Sequence, residues 1–264
     1  MDRLSTIALI WRVERRDGVA IGLTSHDRDL AVDGFAYRAA PGMTPSAVKR
    51  SASLAADTMD VSGPLTAAAI TERDLLAGRW DGARVAVHAV DWASGTIVAA
   101  LGEGRIGAVE TRDDGFSAEL AGIAALLDRP VSEETSPECR AELGDKRCRV
   151  AMTTRRAIAR VTAGEGATLT LDRGEPSANA YGGGLVRWIG GENSGLESAV
   201  ARSAGAMLTL RAPPRFDPVG ALIEVIEGCD KSLATCAARF GNAANFRGEP
   251  YLPGMDLLTR YPGG

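Results

Sequence analysis

A mainly β fold is what this sequence predicts, with strands closed into barrels or sandwiches and few short helices. Three observations lead there. Short apolar runs recur along the whole chain, and most alternate in and out with a period of two. Glycine, Asp-Gly and proline punctuate them, and the chain holds 31 glycines. Amphipathic stretches long enough for a helix are scarce, and no internal repeat is present.

The elements follow in order. Thr6–Val13 reads as a strand, Arg16-Asp17-Gly18 as a turn and Val19–Leu23 as the return strand of a hairpin. Asp33-Gly34 is a second turn, between Leu30–Val32 and Phe35–Tyr37. Thr71–Ala77 has helical character, with Thr71 as cap, Asp74 three residues on and Gly78 as terminator. Arg84–Val90 alternates as a strand, and Thr96–Leu101 and Arg105–Val109 read as two more separated by glycines. Asp113-Asp114 precedes Gly115 as a hairpin turn, and Ser117–Leu127 runs from strand towards helix before Pro130 stops it. Residues 131–148 are polar and read as loop or short helical turns. Strands resume at Ala157–Val161, Thr168–Leu171, Ser198–Ser203, Met207–Leu210 and Leu222–Val225, with a glycine-rich segment over 174–195. The tail from Arg239 reads as irregular but specific. This divides the chain into a β-rich domain over 1–130, a cysteine-bearing connector over 131–156 and a second β-rich domain over 157–264.

Composition sets bounds. With 264 residues and 45% hydrophobic content, the chain is long enough for two domains with real cores. Aromatics make up only 5%, so Ala, Val, Leu and Ile must fill them. A net charge of −4 gives no support for a nucleic-acid surface. Histidines number two, His26 and His88, which limits imidazole chemistry. Residues 4–11 are apolar but run at once into Arg12, Glu14, Arg15 and Arg16, so neither a signal peptide nor a membrane span is expected. A reducing cytosol is the expected site of folding, and there cysteines read as metal ligands or free thiols before disulfides.

Four cysteines form two pairs: Cys139 and Cys148 with eight residues between them, Cys229 and Cys236 with six. Zinc knuckles use two to four intervening residues, so both intervals are wide for zinc. An iron–sulfur cluster is larger than one ion and accepts ligands from looser loops. Basic neighbours (Arg140, Arg147, Arg149, Lys231, Arg239) should lower the thiol pKa values and favour ligation. Spacing alone leaves open both a shared four-cysteine centre and four unlinked thiols buried as small hydrophobes.

Residues 228–254 read GCDKSLATCAARFGNAANFRGEPYLPG. This string, YGGGLVRWIGGENSG over 181–195 and MTPSAVKRSASLAADTMDVSG over 43–63 together resemble a phage tail hub family. That family includes gene transfer agent baseplate hubs and is similar to lambda-like tail-tip proteins. The resemblance covers nearly the whole chain. Gly220-Ala221 departs from it, since the family more often has Gly-Asp there. It implies β-barrel hub domains, a ring of three copies, and a [4Fe-4S] cluster held by Cys139, Cys148, Cys229 and Cys236. It also implies a distal tail protein above, a megatron-type tip or fibre protein below, and a lumen through which DNA or a tape-measure protein passes. Such a chain would be assembled in the bacterial cytoplasm and end in a virion or gene transfer agent particle, with no stable membrane insertion and no catalytic residues. Its cluster would be a structural clip that holds the C-terminal segment on the N-terminal half. Asn242, Asn245 and Arg247 could support the ligands by hydrogen bonds.

Competing readings are an iron–sulfur oxidoreductase and a zinc-stapled interaction module. With all four cysteines used as ligands, an open coordination position is hard to build. Tyr181–Gly184 lacks the G-x-G-x-x-G spacing of a dinucleotide loop and reads as a hairpin or strand edge. Thr24-Ser25-His26-Asp27 gathers triad-type groups, but sequence neighbours seldom face one another, and a polar turn is the simpler reading. Lys49-Arg50 and Arg155-Arg156 read as solvated basic pairs, and the glycine-rich hairpins and the acidic loop Ser132–Glu142 as places for subunit contact.

Overall fold

The computed structural model describes residues 6–39, 44–45, 58–64, 70–112, 115–121 and 132–251. The chain divides into two compact units, Met1–Pro130 and Val131–Gly264. Both are β-structures, as the alternating pattern predicts.

The first unit is a nine-stranded sheet in the order β3-β4-β2-β1-β7-β8-β9-β6-β5. Its strands are β1 Ile7–Glu14, β2 Ala20–Thr24, β3 Leu30–Val32, β4 Phe35–Ala39, β5 Thr44–Pro45, β6 Thr58–Pro64, β7 Arg84–Asp91, β8 Thr96–Arg112 and β9 Gly115–Ala121. β1 is buried on both faces. Trp11 and Val13 join one apolar cluster with Ile70, Leu75 and Trp80. Ala8 and Ile10 join another with Val32, Tyr37 and Val90. The Asp33-Gly34 turn has positive φ at both residues, +50° and +75°, the geometry that suits a tight hairpin. Helix α1, Glu72–Leu76, is capped by Thr71, whose Oγ1 accepts the Asp74 N–H at 3.1 Å.

One expectation fails here. Thr96–Leu101 and Arg105–Val109 are not two strands but parts of the 17-residue β8. Gly102 and Gly104 pair in the ladder opposite Val87 and Val85, and the two register shifts fall at Leu101 and Val98, so these glycines continue the strand and do not break it. Asp113-Asp114, Lys49-Arg50, residues 43 and 46–57 of the 43–63 string, and residues 122–130 lie outside the described residues.

The second unit is a closed six-stranded barrel, β10-β11-β14-β13-β12-β15. Its strands are β10 Arg156–Glu165, β11 Thr168–Leu171, β12 Leu185–Trp188, β13 Glu197–Ala204, β14 Met207–Leu210 and β15 Leu222–Ile226. Every pair is antiparallel. Val161, Leu169, Val186, Val200, Leu208, Ile223 and Val225 fill the interior, and closure removes the sheet edges that would otherwise invite further pairing. β12 lies hidden in the glycine-rich stretch, where the sequence alone shows no strand. After the barrel comes α2, Leu233–Phe240, and a 3-10 turn at Ala243–Asn245. No helix among the described residues is long and apolar enough to cross a membrane.

Candidate metal centre

The register of one strand pair brings the cysteine segments together. β10 and β15 are antiparallel with Arg156 opposite Ile226. The chain entering β10 therefore emerges beside the chain leaving β15, and the Glu227 N–H donates to the Arg155 carbonyl at 3.0 Å. Cys148 precedes this junction and Cys229 follows it. Leu185 also faces Ile226, which sets the glycine run 182–184 against Gly228. A Cβ on Gly228 would stand 2.1 Å from both the Gly182 carbonyl oxygen and the Gly184 nitrogen. The glycines of YGGGL thus let two backbones touch. No helix follows them, so the dinucleotide reading is excluded.

Cys236 is placed by α2. Ser232 caps the helix by accepting the Thr235 N–H at 3.1 Å, and Gly241 closes it in the left-handed region at φ +58°. Cys236 is the helix's buried residue. Arg239, one turn on, donates to the carbonyls of Gly228 (3.1 Å) and Ala180 (2.8 Å) and to Glu227 Oε2 (2.5 Å). Arg155 reaches the same carboxylate at 2.8 Å, and both guanidiniums lie 4.8 Å from the Phe240 ring centre. Glu227 is only 7% exposed, so its charge depends on these two partners. Arg155 is therefore an internal ion-pair partner and not the solvated cation the sequence suggests. Arg156 fits that expectation better, being 45% exposed and 3.6 Å from Glu224.

The connector is fastened to the tail in parallel. Cys139 N–H donates to the Lys231 carbonyl at 2.9 Å, and Arg140 N–H to the Arg247 carbonyl at 3.0 Å. Arg140 grips Glu249 in a bidentate pair at 2.6 and 2.8 Å. Glu249 also accepts the Ser136 N–H at 2.9 Å. These bonds pull the Glu249 pKa down to about 2, the Arg140 hydrogen bond contributing most. Glu133, within the acidic loop, turns back onto Arg140 and Arg147.

All four cysteines line one pocket, together with Ala141, Leu143, Val150, Lys231, Phe240 and Asn242 among others. None forms a disulfide; Cys148 and Cys236 are buried, Cys139 and Cys229 half-buried. Three sulfurs face hydrogen-bond donors: Cys229 the Lys231 N–H (3.4 Å), Cys139 the Arg247 N–H (3.4 Å) and Cys148 the Asn242 Nδ2 (3.7 Å). Asn242 also donates to the Cys148 carbonyl at 2.6 Å, and Asn245 steadies it by donating to Asn242 Oδ1 at 2.7 Å. Among the described residues, no group of three or more His, Cys, Asp or Glu side chains is placed to hold a single metal ion. The four cysteines share the wall of one pocket.

For Cys229 and Cys236 the basic neighbours do not outweigh burial, contrary to what their sequence positions suggest. Burial pushes Cys229 up, Asp230 and Cys139 add to it, and the N–H and ammonium of Lys231 only partly oppose it. Burial also raises Cys236, followed by the charges of Cys229, Cys139 and Cys148. Arg239 spends its hydrogen bonds on Glu227 and two carbonyls, and Arg147 turns to Glu133.

The hydroxyl–imidazole–carboxylate run forms no catalytic array. Thr24 Oγ1 donates to the Leu9 carbonyl, Ser25 Oγ accepts the Leu9 N–H, and His26 Nδ1 accepts the Arg28 N–H. Asp29 accepts the N–H of Ala39, at the end of β4, at 2.8 Å, so the polar turn satisfies backbone amides. Sequence reasoning missed the structural parts played by Glu227, Glu249 and Lys231. Ser232 before an eight-residue run closed by Gly241 was the available sign of α2.

The comparisons agree with this architecture. Residues 2–151 match the family model described as baseplate hub protein, N-terminal attachment domain. Residues 179–256 match that of phage conserved hypothetical protein BR0599. Among solved structures, a chain of the virion of the native gene transfer agent (GTA) particle is 35% identical, with a TM-score of 0.85, 97% of this chain covered and 91% of that one. No curated protein matches. The chain belongs to the baseplate hub protein family.

Proposed function

We propose that this protein is a ring-forming structural hub of a tail baseplate, without catalytic residues, that carries a [4Fe-4S] cluster on Cys139, Cys148, Cys229 and Cys236. Membership of the hub family makes it a component of a virion-type particle. The finer reading rests on one observation: four thiols, from two segments some eighty residues apart, line a single pocket. A four-iron cluster takes its thiolates at separate corners, which suits cysteines that line one pocket from separate segments. When bound, it supplies positive charge to the thiolates and a covalent tie between the two loops. The chain's own residues hold the sulfurs in place: the Lys231 and Arg247 amides face Cys229 and Cys139, and Asn242 faces Cys148. Both loops belong to the second unit. The clip therefore joins connector to tail beneath the barrel strands, a narrower role than joining the two halves of the chain.

The assembly proposed is a homotrimer, with a distal tail protein on one side and a tip or fibre protein on the other, and DNA or a tape-measure protein passing through its lumen. A ring needs two different contact faces on each subunit. The glycines of 182–184 are engaged inside the subunit, so they are poor candidates for those faces.

Anaerobic purification followed by iron and acid-labile sulfide analysis tests the cofactor. About four of each per chain and a broad absorption in the blue are expected. Colourless protein with stoichiometric zinc would support the stapled module instead. Particle production by cells carrying the four-serine variant tests the role, and undiminished yield of complete tails would refute a structural cluster.

A further inference from the structure

Lys231 occupies a backbone conformation that lysine disfavours. Its φ is +63°, in the left-handed region where a Cβ costs about 1–2 kcal/mol and glycine is at ease. The conformation itself has a use: it lets the Lys231 N–H face Cys229 Sγ at 3.4 Å while its carbonyl accepts the Cys139 N–H at 2.9 Å. Glycine would give that as well. The side chain does something more. Its ammonium crosses to the connector, donating to the Ala141 carbonyl at 2.6 Å and standing 3.1 Å from Glu142. Among the described residues lining the thiol pocket, Lys231 alone carries a charge.

We propose that Lys231 is a positioning residue for the cluster, joining one loop of each cysteine pair and placing a fixed cation beside the thiolates. This rests on the reading that the four thiols hold a [4Fe-4S] cluster. Four thiolates bring more negative charge than the cluster core cancels, and the remainder is stabilised by a nearby ammonium in a partly buried site. Reduction adds a further negative charge, so the same ammonium favours the reduced form.

The left-handed geometry supplies the test. Lys231→Gly keeps the backbone conformation and both backbone hydrogen bonds while removing only the side chain. Full-length protein is reconstituted anaerobically, assayed for iron and sulfide, and titrated by spectroelectrochemistry at low ionic strength. The glycine variant should load iron and sulfide as the parent does, show a more negative midpoint potential and release iron to a chelator several-fold faster. Lys231→Arg should restore most of the potential. An iron-loaded glycine variant with the parent's midpoint overturns the proposal. Should the glycine variant fail to load, Glu142→Gln decides: it leaves the ammonium unopposed, so the midpoint should move positive, and an unmoved midpoint overturns the proposal. Parent protein that takes up neither iron nor sulfide overturns the cluster reading itself, before any variant is compared.

Discussion

Arg239 shows how much of the site depends on residues that touch no sulfur. It lies three residues after Cys236 on α2 and joins that helix to the Gly228 and Ala180 carbonyls and the buried Glu227 carboxylate. Arg239→Ala would leave Glu227 with Arg155 alone and remove the guanidinium from the Gly228 and Ala180 carbonyls, of which Ala180 keeps the Gly228 N–H. A loss of about 2–3 kcal/mol is expected, below the full penalty for a buried charge because Arg155 remains. Urea unfolding of the purified protein measures it, and a loss under 0.5 kcal/mol would mean that water replaces the guanidinium. The four cysteines were legible as candidates because thiols are rare in the chain and paired. Arg239 was legible only as a basic neighbour, and the task read from that position was wrong. Adjacency in sequence does not say where a long side chain points, and this one turns to Glu227.

At the scale of elements, the glycine contact and the helix cap make separable predictions. Gly228→Ala would drive a Cβ into backbone atoms of Gly182 and Gly184 that cannot rotate away. About 2–3 kcal/mol of stability should be lost, read as a lowered urea midpoint. Ser232→Ala removes the cap of α2 and should cost about 1 kcal/mol by the same measurement, leaving the barrel intact. The Arg140–Glu249 pair makes the tail's attachment pH-dependent. The folded carboxyl titrates at about 2, below its ordinary 4.5, so its stabilising effect is fully present above about pH 4.5 and is lost as pH falls towards 2. Hydrogen exchange at Ser136 and Arg140 should accelerate across that window, and Glu249→Gln should abolish the pH step. A flat profile in the parent would show that the pair does not hold the tail. Most strands could be read from the sequence because alternation is local. β8 was split in two because Gly102 and Gly104 look like breaks in sequence although both pair in the ladder. α2 was missed although its eight residues are amphipathic and bracketed by Ser232 and Gly241, because the run is short and the cysteine in it was read as part of a loop.

For the whole molecule, the barrel and the thiol pocket draw on different sources of stability. The barrel core of Val161, Leu169, Val186, Val200, Leu208, Ile223 and Val225 is close-packed, closed on itself and made without a cysteine. The pocket is walled by two irregular segments and one short helix, held by ion pairs, backbone contacts at glycine and, on our reading, the cluster. That β15 ends beside the start of β10 could not be read locally, since pairing between strands some sixty to seventy residues apart is a property of the closed sheet. Yet that pairing is what makes one site of two distant cysteine pairs. Stripping the metal with an oxidant and chelator should therefore act unequally. Segments 132–155 and 228–251 should become sensitive to protease and lose amide protection, while amides of β11, β13 and β14 exchange as slowly as before. Unfolding of the stripped protein should still show a cooperative β transition. If stripping melted the barrel strands together with the loops, the cluster would be part of the folding core, and the division argued from the cysteine-free interior would be wrong.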